Sequence, residues 1–448
     1  MEKENPDPNS KEIKVKVGAK SRTIHVDYLA RVEGEGALYV KTKDGKVEDV
    51  KLKIFEPPRF FEALLRGREC TEAPDITARI CGICPVAYQM SSSTAVENAL
   101  GIVVPEYLQQ LRRLFYCGEW IESHTLHVYM LHAPDFLGYE DAIQMAKDHP
   151  DIVKKGLRIK KAGNEIIRVM GGREIHPINA KIGGFYRLPP KKQFATLQEN
   201  LKQARDDALE TVKWVNGFNF PLLEKNYNCT SLIHPNEYPM ARGRIGSTTG
   251  LNIAVEEYDQ HFEEEQVPHS TAMHSKMKGQ GSYLAGPMAR YNLNRQNFSP
   301  IVKEATEEIQ FEEVCRNPFR SIIIRALEIL YACDEALRII DTLEWDNLPS
   351  SMNIEMRPST GFGATEAPRG LLYHRYRINE KGLIEDAKIV PPTAQTQKTI
   401  EEDLYEFVSQ HMSMPDKELT WKCEQAIRNY DPCISCSAHF LKLERSHA

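Results

Sequence analysis

Residues 430–440 read YDPCISCSAHF and set Cys433 and Cys436 close to the end of a 448-residue chain. Chain ends fray unless something ties them down. Reactive thiols there imply a tail drawn into the body and held by whatever the sulfurs bind. A second pair of equal spacing, Cys81 and Cys84, lies hundreds of residues upstream in RICGICPVAYQ (79–89). Two intervening residues let both thiolates of such a pair turn toward one ion, and Gly82 supplies a permissive backbone. If the two pairs share an ion, the fold has to close both ends of the chain around one interior.

The chain between the pairs has the means to build that interior. From about residue 86 the pattern turns helical. Residues 105–133, 191–216, 301–316 and 318–343 carry apolar side chains at helical spacing, the last two separated by Asn317-Pro318. Helices of this length pack as bundles. Strands flank them. Residues 13–55 read as IKVKV, RTIHVDYL, GALYVKT and VEDVKLKIF, with the hairpin signal Asp44-Gly45 between the last two. Residues 371–390 read as a hairpin turning at NEKG, and 399–411 and 416–429 as helices. Residues 217–300 are punctuated by Gly and Pro and read as loops and short elements. No repeat, low-complexity linker or composition break divides the chain. The expectation is one α+β domain, a helical-bundle core with peripheral β-strands and hairpins, preceded by disordered residues 1–10.

Composition removes several classes of function. Hydrophobic residues make up 41% and charged residues 27%, ordinary for a globular enzyme. A net charge of −6 offers no broad basic surface for nucleic acid. No apolar run reaches the roughly 20 residues that span a bilayer. The N-terminal MEKENPDPNSKEIKVKV lacks the apolar core of a secretory signal, so a cytoplasmic location is expected. The ten cysteines then point to metal, redox or inert core roles rather than to disulfides. Cys70, Cys117, Cys229, Cys315, Cys333 and Cys423 stand singly and read as small buried hydrophobes.

Spacing alone leaves the two pairs open. They fit two unrelated pairs, a redox dithiol, a structural four-cysteine zinc site or a soft-metal redox centre. Zinc ribbons keep their knuckles about 15–20 residues apart, far closer than these. Thiolate-rich sites suit nickel, iron and copper as well as zinc.

The flanking residues decide between them. RICGIC upstream and DPCISCSAH downstream strongly resemble the large subunit of nickel–iron hydrogenases. ARVEGEG (30–36), FFEALLRGREC (60–70), SHTLHVYMLHAPDF (123–136), GGREIHP (171–177), GPMARYN (286–292), EAPRG (366–370) and IVPPT (389–393) resemble further family segments in family order. Each match alone is weak, but this many in order is specific, and they run from Ala30 to His439.

The resemblance implies a site in detail. Cys81 and Cys433 would be terminal nickel ligands, and Cys84 and Cys436 would bridge nickel to an iron carrying carbon monoxide and cyanide. Cys433 would take the proton released when dihydrogen is split, and Glu33 would carry it onward. Arg369, held by Asp431, would lie over the open metal position and meet a cyanide. Pro391 and Thr393 would line the cyanide side. Glu62 and His439 would hold magnesium. His124, His127 and His132 would form a buried network. Residues 440–448 would be an extension cleaved by a maturation endopeptidase. The implied partners are an iron–sulfur small subunit and flavin- and iron–sulfur-containing subunits that react with NAD(P), since no dinucleotide fingerprint occurs here.

Some positions depart from the family pattern. Tyr88 and Glu35 stand where many relatives carry histidine, Ser123 where many carry aspartate, and Pro392 where a hydroxyl residue often sits. These departures resemble the cytosolic, multimeric branch linked to NADP, the sulfhydrogenase type. Two rivals stay in view. A quinone-site subunit of a respiratory complex shares the ancestry but has lost the cysteines, and a non-enzymatic scaffold would hold zinc at the same four.

Overall fold

A computed structural model describes residues 21–56 and 60–438. The expected IKVKV strand, residues 1–10, His439 and the tail 440–448 lie outside the described residues.

The core is a set of long helices: α1 (Pro85–Leu100), α2 (Glu106–Thr125), α3 (Pro150–Gly171), α4 (Ala195–Asn216) and α5 (Ser321–Thr342). The α2 helix packs along α3 and α5, and α5 also packs along α4. Ile322, Ile323 and Ile324 of α5 are all buried, so its first turn has no face toward solvent. A helix covered on every side belongs at the centre of a core, and its charged Glu328 is paired there with Arg290. The 301–316 segment is helical only over Pro300–Glu308, and Gln310 then takes a left-handed backbone, φ 51°, that ends it.

The segment read as one helix over 105–133 changes character midway. α2 passes at Leu126–His132 into a π-helical turn, a local widening that often marks functional positions. There His127 Nε2 meets the Arg428 carbonyl at 2.7 Å and His132 Nε2 meets Asn429 Oδ1 at 2.9 Å.

Among the described residues three three-stranded antiparallel sheets lie around the bundle, the third made of the short strands Thr230–Ile233, Arg244–Ser247 and Asn252–Ile253. The first joins β1 (Ser21–Val26), β2 (Gly36–Lys43) and β3 (Lys46–Ile54), and the Asp44-Gly45 turn is where the sequence puts it. The second joins β4 (Ser359–Ala367), β5 (Gly370–Ile378) and β6 (Ile384–Val390). β5 and β6 are the expected hairpin; β4 was not expected. It lies against α1 so closely that a Cβ on Gly361 would stand 2.0 Å from the Ala95 carbonyl oxygen. Two C-terminal helices, α6 (Pro392–Gln410) and α7 (Asp416–Arg428), lead back to the interior, where Cys433 opens a single turn, α8 (Ile434–Ser437). Residues 217–300 hold short strands and the helix Pro287–Asn294.

Candidate metal centre

The two C-x-x-C pairs arrive from opposite ends of the chain and meet. Cys81 closes a short helical turn, and Cys84 sits immediately before Pro85, the first residue of α1. Proline at that position needs no N–H partner and pre-sets the helical φ, which fixes where Cys84 points. Just beyond it, Glu119 of α2 accepts hydrogen bonds from Val86 N at 2.6 Å and Ala87 N at 3.1 Å. Those are orphan donors of a helix start, and the buried carboxylate satisfies them. Cys433 and Cys436 flank and occupy α8.

Cys81 Sγ lies 3.6 Å from Cys433 Sγ, and Cys84 Sγ lies 3.9 Å from Cys436 Sγ. All four sulfurs lie within 4.8 Å of one another. The four side chains are buried and free, with no disulfide. Ile83 N and Cys84 N each donate to Cys81 Sγ at 3.3 Å. Hydrogen bonds from the Cys433, Cys436 and Cys84 thiols hold Cys81 well below the usual thiol range. Burial pushes Cys433 and Cys436 well above it. Ligation requires thiolates, so loading this site expels protons.

The surroundings fit an ion-bearing group. Arg369 donates from Nε to the Asp431 carbonyl at 2.7 Å and from Nη2 to Asp431 Oδ1 at 3.2 Å. Its Nη1 is buried and finds no protein partner. Burial alone would favour a neutral side chain, but Asp431 and the thiolates of Cys433, Cys84 and Cys81 hold its pKa well above the ordinary value. A buried, charged donor without a protein acceptor beside four convergent thiols is what an anionic metal centre requires. Asp431 reaches Arg369 from a left-handed backbone, φ 50°.

Glu33 lies on the other side. Its Oε2 accepts from Cys433 Sγ at 3.1 Å and from Ser435 N at 3.0 Å, and its carbonyl accepts from Ile434 N at 2.8 Å. The preceding Arg31 anchors this loop through Asp135 at 2.6 Å and the Leu131 carbonyl at 2.7 Å. Gly34 follows at φ +90°, and a Cβ there would stand 2.8 Å from Ile434 Cβ. Only glycine lets this loop approach α8 so closely.

Thr393, the second residue of α6, accepts through Oγ1 from Cys433 N at 3.1 Å. Pro391 and Glu62 line a small cavity of about 20 Å³ with Cys436, Ser435 and Ala438. That is room for one water or a small ion. Glu62 Oε1 also accepts from Ile389 N at 2.7 Å. His439, the other expected magnesium ligand, lies outside the described residues. Glu35 is exposed and takes no part in these contacts. Tyr88 and Ser123 are buried with hydroxyls that have no hydrogen-bond partner. The three histidines form no common ligand set. His124 faces Glu328 at 2.9 Å, while His127 and His132 bind the chain around Arg428–Asn429.

Sequence reasoning missed four contributors. Glu119 caps the helix behind Cys84, and Ser435 Oγ donates to Glu56 Oε2 at 2.9 Å. Arg31 had stood in a quoted motif without a role. No spacing signal marks Glu119 or Glu56, whereas Ser435, lying between two ligands, was the accessible clue.

Comparison with known proteins agrees with this geometry. The family model for nickel-dependent hydrogenase matches residues 59–155 and 251–439. Sulfhydrogenase 2 subunit alpha of Pyrococcus furiosus is 35% identical, covering 94% of this chain and all of that protein. The NAD-reducing hydrogenase HoxS subunit beta of Cupriavidus necator is 27% identical, covering 94% of this chain and 95% of that protein. In fold, an NAD+-reducing [NiFe]-hydrogenase in its H2-reduced state superposes with a TM-score of 0.85 at 24% identity, covering 94% of this chain and all of that one. No described helix is long and apolar enough to cross a membrane.

Proposed function

This chain belongs to the nickel-dependent hydrogenase family and is a catalytic subunit of that family; from that premise we propose how its own residues serve the reaction. Cys81, Cys84, Cys433 and Cys436 would hold a nickel–iron centre, with carbon monoxide and cyanide on the iron. When bound, the centre supplies the Lewis-acidic metals at which dihydrogen is split into protons and electrons.

Cys433 then serves as base. Its sulfur already lies 3.1 Å from Glu33 Oε2, within the reach that proton transfer demands. Glu33 takes the proton from the thiol and passes it outward. Arg369, locked by Asp431, has its unpaired Nη1 free and would donate it to a cyanide of the bound centre. The Thr393 hydroxyl, which accepts from Cys433 N, still has a proton to donate and would give it to a cyanide of the bound centre, with Pro391 lining that side. Glu62, with its carboxylate at the cavity beside Cys436, would bind magnesium, a hard cation suited to oxygen and water.

Electrons would leave through an iron–sulfur small subunit and pass through flavin-containing partners to NADP in the cytoplasm. The relative named as an NAD-reducing hydrogenase subunit supports a nicotinamide destination. A maturation endopeptidase would remove residues 440–448 after loading.

The observation that carries the reading is the convergence of four thiols on one buried point beside an unpaired arginine. Elemental analysis and dihydrogen-dependent dye reduction of the anaerobically isolated native complex test it. Stoichiometric nickel and iron with dye reduction are expected. Stoichiometric zinc without nickel, and no dye reduction, would establish the scaffold instead.

A further inference from the structure

A second group of metal-ligating side chains lies apart from the four cysteines and shares no residue with them. A hairpin pairs Phe262–Gln266 with Met273–Met277. His269 sits on its connecting loop, His274 on its second strand, and Glu401 on α6, which packs against that strand. One ligand atom from each lies within 4.8 Å of the others. His269 Nε2 meets Glu401 Oε1 at 2.7 Å, and the two imidazole rings stand edge to face with centroids 5.7 Å apart. His274 is only 4% exposed, yet its Nε2 has no hydrogen-bond partner. A buried imidazole nitrogen left unsatisfied is costly unless something binds it. The trio opens on a surface cleft of about 400 Å³, lined also by Glu48, Asp49, Glu265 and Lys398.

We propose that His269, His274 and Glu401 bind a divalent ion of the zinc class, independently of the four-cysteine centre. Two imidazoles and one carboxylate are a donor set for borderline metals, and water from the cleft would fill the remaining position. Bonds of about 2.0–2.2 Å in a tetrahedron place ligand atoms roughly 3.4 Å apart. The side chains therefore need only small rotations to close on an ion.

The position of the trio gives the ion a purpose. Glu401 Oε1 also accepts from Leu52 N of β3 at 2.9 Å. The loop that carries His269 docks on the end of β3 and the chain after it: Thr271 N donates to the Ile54 carbonyl at 2.8 Å, and Thr271 Oγ1 donates to the Glu56 carbonyl at 2.9 Å. Ala272 then forms a β-bridge with Ala438, two residues past Cys436. An ion at the trio would pin this loop to α6 and β3, and so fix the surface on which the C-terminal segment is laid.

The test uses nickel-loaded holoenzyme, whose cysteines are already occupied, stripped of loose metal with EDTA and titrated with zinc chloride. A further equivalent of zinc should bind, X-ray absorption at the zinc edge should show nitrogen and oxygen neighbours without sulfur, and the melting temperature should rise by several degrees. His274→Gln should keep dihydrogen-dependent dye reduction and lose the zinc uptake and the thermal response together. If that buried variant fails to fold, His269→Gln at the cleft side removes one ligand and should show the same losses. No added zinc, a sulfur-containing shell, or equal uptake by wild type and the folded variant would overturn the proposal.

Discussion

Glu33 is held at three points: its carbonyl receives Ile434 N, and its carboxylate receives both Ser435 N and the Cys433 thiol. Glutamine keeps that shape but cannot relay a proton. Glu33→Gln should therefore load nickel and iron normally while dihydrogen/proton isotope exchange falls by about 10²–10⁴. Unchanged exchange in a fully loaded variant would remove Glu33 from the path. Arg369 makes a different demand, for three nitrogens in a rigid plane, two spent on Asp431 and one left without a partner. Lysine has the charge but not the fork. One lost charge-assisted hydrogen bond is worth about 1.5–3 kcal/mol, roughly ten- to a hundredfold in rate if felt at the transition state. Arg369→Lys should show that loss in turnover, with a shifted cyanide stretch in the infrared. At this scale the sequence was legible where motif residues flank cysteines. It was silent on Glu119, a single carboxylate in a helical run whose importance arises from the neighbour that folding brings to it.

Elements carry the acid sensitivity. Burial pushes His374 of β5 down to about 3 and His124 of α2 down to about 4, from an ordinary 6.5. A histidine kept neutral by the fold binds its proton more readily when unfolded, so its contribution is full above pH 6.5 and declines as pH falls through the interval below. Glu328 of α5 adds a second interval. Burial opposes its charge, but Arg290 wins and holds it at about 2 against an ordinary 4.5. That contribution is present above pH 4.5 and is lost as pH approaches 2. Melting temperature should therefore fall gently from pH 6.5 and more steeply below 4.5. A profile flat from 7 to 4 would contradict the assignment. The elements most legible in the sequence were those with strong apolar periodicity, such as α5, and those with turn chemistry, such as the β2–β3 hairpin. The sequence analysis missed α3 and β4 for opposite reasons. α3 carries KKGLRIKKAGNE, whose two glycines lower the helical propensity, although Gly163 is where α3 presses against α2. β4 carries glycine at alternate positions 361 and 363 because α1 leaves no room for side chains there, and a strand without side chains has no alternation to read.

For the whole molecule, the described residues form one arrangement in which both ends of the chain supply the centre, as the α+β expectation with a helical core required. Glu33 and Glu56 hold Ser435, and a bridge to Ala272 holds Ala438, so the segment has no long element of its own to fix it. Metal loading should therefore slow amide exchange over residues 430–438 and 28–36 relative to a nickel-free precursor, and equal rates would show that the segment docks without metal. Mass spectrometry of active enzyme should find the chain ending at or near His439, whereas full activity with Ala448 retained would exclude cleavage as a requirement. Cys81 and Cys433 touch although 352 positions separate them. At a synthesis rate of about 5–20 residues per second, the upstream pair leaves the ribosome roughly 20–70 s before its counterpart exists. Throughout that interval it is an oxidisable dithiol with no ligand set to join. The centre is thus also a check on complete translation: a message broken anywhere before codon 433 yields a product that cannot hold the metals, however well the rest of it folds.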